Sequence, residues 1–308
     1  MSVTINNFTI TYGDVTAVDN MTVVFPPGAT GLLGVNGAGK SSLIKGLLGL
    51  VKISSGSASI LKYDVSTQQK LIRQLIGYMP EDDCLIPGLT GLDMVQFAGE
   101  LCGMSKEDAR ERAHEVLFLV GLEEARYRRV EAYSSGMRQR IKLAQALVHD
   151  PKLLFLDEPT SGMDPKGRQE MLDLIKTITS SVDISIILAS HILSDVERTC
   201  DRIVIIHRGA LARQGDIHGI KGKYSGSFTV RIDGDKEKFR KILEEEKCEI
   251  TPSGKNLLDI TLPEKQDTDL ILKAAHQSDV KLRKMVPSIQ SLEDVFVKLI
   301  KEDDDAHL

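Results

Sequence analysis

The sequence predicts an α/β protein with a parallel core sheet, an antiparallel β edge and a helical insert, followed by a small α+β C-terminal domain. Three observations carry that prediction. Short apolar runs alternate with segments of helical period up to about residue 217. A glycine-rich turn, GVNGAGKS at residues 34–41, stands between one apolar run and one helical stretch. After Ile217 the text changes to GIKGKYSGSF, rich in Gly, Lys and Ser, which reads as a domain boundary.

The elements follow in order. Between Ile5 and Phe25 apolar and polar residues alternate around Gly13 and Asp14, which predicts short strands joined by a turn at a sheet edge. Ala29 to Leu33 reads as a buried strand, and a helix is expected from Lys40 to about Leu50. From Gly91 to Leu122 the period becomes helical. Ser105 with Asp108 makes a capping-box start, Ala109, Ala113, Val116, Leu117 and Val120 share a face, and Gly121 ends it. A helical insert is therefore placed at about residues 84–135. Met137, Ile141, Ala144 and Val148 mark a further helix stopped by Pro151, followed by strands at Leu153–Leu156 and Ile184–Leu188. The first domain is taken as residues 1–220 and the second as 223–308. In the second, SFTVRI, KEKFRKILEEE, CEITPSG, NLLDITL, DTDLILKAAHQ and VKLRKMV read as strand, helix, strand, strand, helix, strand, a ferredoxin-like order. The acidic end Glu302–Asp305 reads as a solvated tail.

Composition bounds the function. With 308 residues, 42% hydrophobic and 27% charged, the chain has material for two cores, which excludes disordered and fibrous classes. A formal net charge of -5 supplies no basic field, so no nucleic-acid partner is expected. Cys84, Cys102, Cys200 and Cys248 stand at no metal-ligand spacing and read as buried thiols in a reducing compartment. The opening MSVTINNFTITYGD lacks a signal-peptide pattern, so a cytoplasmic location is expected. The uncharged run Asn20–Gly39 carries Pro26, Pro27 and five glycines and cannot be a spanning helix, so any membrane part must come from another chain.

GVNGAGKS matches GxxxxGK[ST], a phosphate-binding loop. Backbone N–H groups over Gly34, Asn36, Gly37, Ala38, Gly39 and Ser42 would wrap phosphate oxygens, Lys40 would neutralise charge, and the Ser41 hydroxyl would bind Mg²⁺. LLFLDE, residues 153–158, is an apolar strand ending in two carboxylates, at the edge of a parallel sheet where ligands sit. Asp157 suits holding Mg²⁺ through water, and Glu158 suits taking a proton from an attacking water. His114, His149, His207, His218, His276 and His307 lack comparable surroundings and read as packing or surface residues.

With these motifs the chain resembles the nucleotide-binding subunit of an ATP-binding cassette (ABC) transporter, of the drug and polymer exporter branch. The resemblance covers residues 1 to about 215, and it implies the P-loop cassette fold, ATP hydrolysis, and ATP and Mg²⁺ as ligands. YSSGM, Tyr133–Met137, stands at the family's signature, so Ser134 and Gly136 are implied to meet nucleotide. SGMD, Ser161–Asp164, matches the D-loop through Asp164. His191 in ILASH falls on the switch histidine, implied to be catalytic with Glu158 and Lys40, and Tyr12 stands where an aromatic stacks on adenine. Tyr133, Ser135 and Met137 depart from the signature, and Glu81 stands where glutamine is usual, which turns a carboxylate toward the metal region.

The run Pro287–Leu299 resembles the end of exporter cassettes with an extra domain. On physical grounds Leu292, Val295, Phe296 and Leu299 form one apolar helical stripe, which fits packing on its own domain or on a partner. The partners implied are a second ATP-binding subunit, as a homodimer, and a membrane-spanning permease subunit received by the helical insert. The chain would sit on the inner face of the cell membrane through that permease. Two other functions fit less of the sequence: a soluble cassette ATPase without transport, and a regulatory module that holds ATP with little turnover.

Overall fold

The computed structural model describes residues 2–181, 183–222, 227–254, 256–263 and 268–287 together with Leu292, Glu293 and Phe296. The chain divides into two compact units, Met1–Gly215 and Asp216–Leu308.

The first unit opens with β1 (Val3–Tyr12) and β2 (Val15–Phe25), paired antiparallel across the Gly13–Asp14 turn, with Tyr12 opposite Val15. β3 (Ala29–Leu33) is buried along its whole length, as a strand covered on both faces must be. α1 (Lys40–Leu47) stops short of the expected Leu50. Gly49 there turns left-handed at φ 67°, Leu50 N–H donates to Lys45 O at 2.9 Å, and Gly49 N–H donates to Gly46 O at 3.0 Å, a Schellman stop. β4 (Ser55–Ile60) and β5 (Tyr63–Asp64) complete an antiparallel sheet of order β2-β1-β4-β5.

α2 (Gln69–Leu75) leads into β6 (Ile76–Met79), and the helical insert follows as α3 (Gly91–Leu101) and α4 (Lys106–Leu119). Both helices are capped by their own sequence: Thr90 and Asp93 form a full capping box on α3, and on α4 Asp108 N–H donates to the Ser105 hydroxyl at 3.1 Å. α5 (Ser135–Leu147), β7 (Leu153–Asp157), α6 (Pro165–Ser181), β8 (Ser185–Ser190), α7 (Leu193–Thr199), β9 (Arg202–His207) and β10 (Ala210–Asp216) come next. The second sheet has the order β10-β9-β3-β8-β7-β6, and from β9 to β6 every pairing is parallel. Between the two sheets lies a core including Phe8, Phe25, Leu43, Ile44, Phe155 and Val204.

The second unit carries α8 (Ile217–Gly222), β11 (Ser227–Asp233), α9 (Lys236–Glu245), β12 (Glu249–Gly254), β13 (Leu257–Thr261), α10 (Asp269–Ser278) and β14 (Lys281–Pro287). Its sheet, β12-β13-β11-β14, is antiparallel throughout and closes over Val230, Ile232, Phe239, Leu243, Ile260 and Ile271. Of the C-terminal stripe, Leu292 is buried and Phe296 half-buried, while Val295, Leu299 and the acidic end lie outside the described residues.

The cysteine expectation needs correction for two of the four. Cys200 and Cys248 are buried, but Cys84 lies exposed in the loop after β6 and Cys102 at the open end of α3. Among the described residues no helix is long and apolar enough to cross a membrane.

Candidate functional site

The strand order brings the sequence motifs to one edge. β3 lies beside β8 and β8 beside β7, all parallel, with Leu33 opposite Ser190 and Asp157 opposite Ala189. The loop after β3, the carboxylates after β7 and the histidine after β8 therefore emerge together at the C-terminal edge of the sheet.

The glycine-rich loop owes its path to Gly39, at φ 103°, where a Cβ would run into the carbonyl oxygen of Ala17. Gly39 also caps α1 without a side-chain hydrogen bond, so the first N–H groups of that helix are left for a ligand. A cavity of about 250 Å³ opens here, lined by Ala17, Asn36, Gly37, Gly39, Lys40, Ser41, Ser42, Glu81 and Glu158. Lys40 is 6% exposed, and its ammonium donates to Gly34 O at 2.8 Å and Val35 O at 3.3 Å. The same Nζ stands 3.7 Å from Glu158 Oε1.

Glu158 is buried and held in the left-handed region at φ 48°, a conformation disfavoured for a residue with a Cβ. Its N–H donates to Ala189 O at 2.9 Å, which anchors the turn to β8. Oε1 accepts the His191 main-chain N–H at 3.0 Å and lies 2.9 Å from His191 Nδ1, while Oε2 is 3.4 Å from the Ser190 hydroxyl. His191 itself is half open to solvent.

Asp157 is 1% exposed, and burial raises its pKa. A hydrogen bond from Ser41 and the Lys40 charge oppose that rise, and the charges of Glu81 and Glu158 add to it. Its Oδ1 is buried without a hydrogen-bond partner. An unsatisfied carboxylate oxygen beside a serine hydroxyl fits a hard divalent cation, which takes few protein ligands and completes its shell with phosphate oxygens and water. Among the described residues no cluster of three His, Cys, Asp or Glu could hold a metal unaided.

Not every residue singled out from the sequence lines this cavity. Gly34 and Ala38 are buried in the loop behind it, and Tyr12 is 44% exposed at the end of β1, outside the lining. Ser134 is exposed and caps α5 by accepting the Met137 N–H, and Gly136 and Asp164 are likewise outside the lining. Tyr133 is buried with its hydroxyl donating to Ala125 O at 2.8 Å, in space that exists only because residue 91 is glycine. Glu81 lines a second cavity as well, of about 490 Å³, with Tyr133, Ser135, Gln139 and Ser161.

Two polar groups escaped the sequence reading. Ser190 approaches Glu158 and also accepts the Ile192 N–H at 3.0 Å. Buried Asp195 takes the Thr160 hydroxyl at 2.6 Å and the Arg168 Nε at 2.7 Å, which ties α7 to the segment after Glu158. The signal for Asp195 was weak: one carboxylate in a short amphipathic stretch, between Ser194 and Val196.

Residues 18–161 match the family described as ABC transporter, and residues 215–300 match the C-terminal domain of DrrA1-3-like ATP-binding proteins. The chain is 35% identical to the uncharacterized ABC transporter ATP-binding protein YxlF of Bacillus subtilis over 87% of this chain and 89% of that one. It is 31% identical to the doxorubicin resistance ATP-binding protein DrrA of Mycobacterium tuberculosis over 97% of this chain and 93% of that one. A bacterial ABC transporter cassette solved as a dimer superposes with a TM-score of 0.64 at 25% identity, over 70% of this chain and 98% of that one. The phosphate loop, the paired carboxylates at the sheet edge and these likenesses together establish that the chain belongs to the ATP-binding subunits of ABC transporters, a family of ATPases.

Proposed function

We propose that two copies of this chain close around two Mg-ATP molecules and that their closing and opening drive a separate membrane-spanning subunit in export. The observation that carries this reading is the placement of Glu158 on the cavity wall, with Lys40 and His191 on one of its oxygens. ATP enters as substrate, its phosphates against the loop N–H groups and the Lys40 ammonium. Glu158 accepts the proton of a water whose oxygen bonds to the γ-phosphorus as the bond to the ADP oxygen breaks, yielding ADP and phosphate. His191 holds the Glu158 carboxylate in place. Mg²⁺, held by Ser41 and Asp157 with Glu81 toward it, would supply charge neutralisation on the phosphates.

Ser134, Gly136 and Asp164 lie outside the cavity of their own chain, which supports their serving the ATP of a second copy. The cassette noted above, solved as a dimer, supports the pairing of two copies. The doxorubicin-resistance relative supports a drug-like export substrate. The chain would then work on the inner membrane face, held there by its permease. Asp157, Glu158 and His191 standing together argue against a module that only holds ATP.

Mixing two variants tests the shared site. Ser134→Arg sets bulk and charge against the partner's γ-phosphate, and Lys40→Ala weakens the chain's own site. Each alone should be inactive, while their mixed dimer keeps one intact composite site and regains ATPase activity. Mixed dimers that form and stay inactive refute the arrangement. Copurification of a membrane-spanning protein with the tagged chain tests the transport role.

A further inference from the structure

Lys142, on α5, is among the largest fully buried side chains of the molecule, at 2% exposure. A buried ammonium is costly unless every proton finds an acceptor. Here the three protons meet three successive carbonyls: Nζ donates to Pro80 O at 3.0 Å, Glu81 O at 2.9 Å and Asp82 O at 3.4 Å. These oxygens belong to the segment after β6, which has no regular secondary structure to satisfy them. Burial lowers the Lys142 pKa, and the acidic groups at Asp83, Asp82 and Glu81 in that segment act against the fall.

The neighbouring turn of α5 fastens two loops at once. Arg138 pairs with Asp83 at 2.9 Å, and Gln139 donates to Ser161 O at 2.9 Å. The same helix is capped by Ser134.

We propose that Lys142 is a positioning residue: it holds Glu81 at the rim of the phosphate-loop cavity and makes the Glu81 segment move with the helix that Ser134 caps. Its role in turnover rests on the reading of that cavity as the ATP site. Lys142 touches no substrate. It acts because an apolar side chain in its place leaves three carbonyls facing the interior, and the segment must rearrange to hydrate them.

The test uses the full chain and Lys142→Met, which keeps the length and removes the donors. Hydrogen exchange of amides 81–84 should quicken by about tenfold or more, while β7 and α1 keep wild-type protection. kcat should fall by about tenfold with KM for Mg-ATP within about threefold. In a Glu81→Ala background the same Lys142→Met change should cost less than about twofold, since its effect runs through Glu81. Unchanged exchange at residues 81–84, or losses that multiply across the two backgrounds, overturn the proposal. Should Lys142→Met fail to fold, Lys142→Gln keeps two donors and is read by the same measurements. Failure of the ATP-site reading shows separately, as unchanged ATP affinity in Lys40→Ala. The exchange result stands whether or not that occurs.

Discussion

Glutamine at position 158 keeps the length of the side chain and one acceptor oxygen but removes a negative charge and a proton acceptor. In the structure that oxygen takes the His191 N–H at 3.0 Å, and a glutamine oxygen accepts it equally well. The new NH₂ finds the Ser190 hydroxyl, now 3.4 Å from Oε2. The fold should therefore persist. Lys40, 3.7 Å from Glu158 with both side chains under a tenth exposed, loses a Coulomb attraction of order 4 kcal/mol at an effective dielectric near 20, before desolvation is counted. Its ammonium becomes freer to meet phosphate, so Mg-ATP should bind at least as tightly as to the wild type. A general base is worth about 10²–10⁴ in rate, or about 3–5 kcal/mol of barrier. Glu158→Gln should thus lower single-turnover hydrolysis by that factor and accumulate an ATP-bound dimer, seen as an earlier gel-filtration peak with Mg-ATP. Turnover within about threefold of wild type would show that Glu158 is not the base. Loss of ATP binding would show that its charge supports the phosphate site instead of opposing it.

Lys40→Ala removes a charge-assisted contact worth about 1.5–3 kcal/mol, so the Kd for ATP in a calorimetric titration should rise about 10- to 100-fold. Gly39→Ala should abolish ATP binding, because a Cβ there meets the Ala17 carbonyl and the φ of 103° is strained for alanine; normal binding would contradict the loop geometry. Burial places the Asp157 pKa above 3.8, so folding takes up a proton there. The stability of the nucleotide-free protein should then fall as pH rises from 3.8 through the raised value, and should not recover above it. Asp157→Asn should remove that slope and raise the nucleotide-free melting temperature at pH 7, while abolishing Mg²⁺-dependent hydrolysis; a lowered melting temperature would count against a desolvated carboxylate. A chain ending after Gly222 should fold and bind Mg-ATP, since the first unit holds both sheets around the phosphate loop and its own core. Circular dichroism and nucleotide titration would check it.

The sequence by itself determined the elements whose chemistry is local. A glycine-rich loop between an apolar strand and a helix, a strand ending in Asp157 and Glu158, and the cap at Ser105 need only neighbours within a few residues, so pattern and spacing carried them. The second unit's alternation of strand and helix was legible for the same reason. Short or interrupted elements were not. β4, β5 and β6, from six residues down to two, give too few periods to distinguish from loop, and α2 and α7 carry only about two turns of pattern each. Cys84 and Cys102 were misplaced because burial belongs to the packed surface and not to the residue type.

Only the tertiary structure decided which pieces meet. The neighbours of β3 are strands far away in sequence, and their order alone sets His191 on Glu158 and Glu158 on Lys40. In the second unit the strand order, with β11 between β13 and β14, is likewise a product of packing. The same holds for Lys142, whose sequence shows one lysine in an otherwise ordinary helical face. Its three acceptors lie about sixty residues earlier, and the low polarity that makes their pairing matter exists only once the core has closed around it.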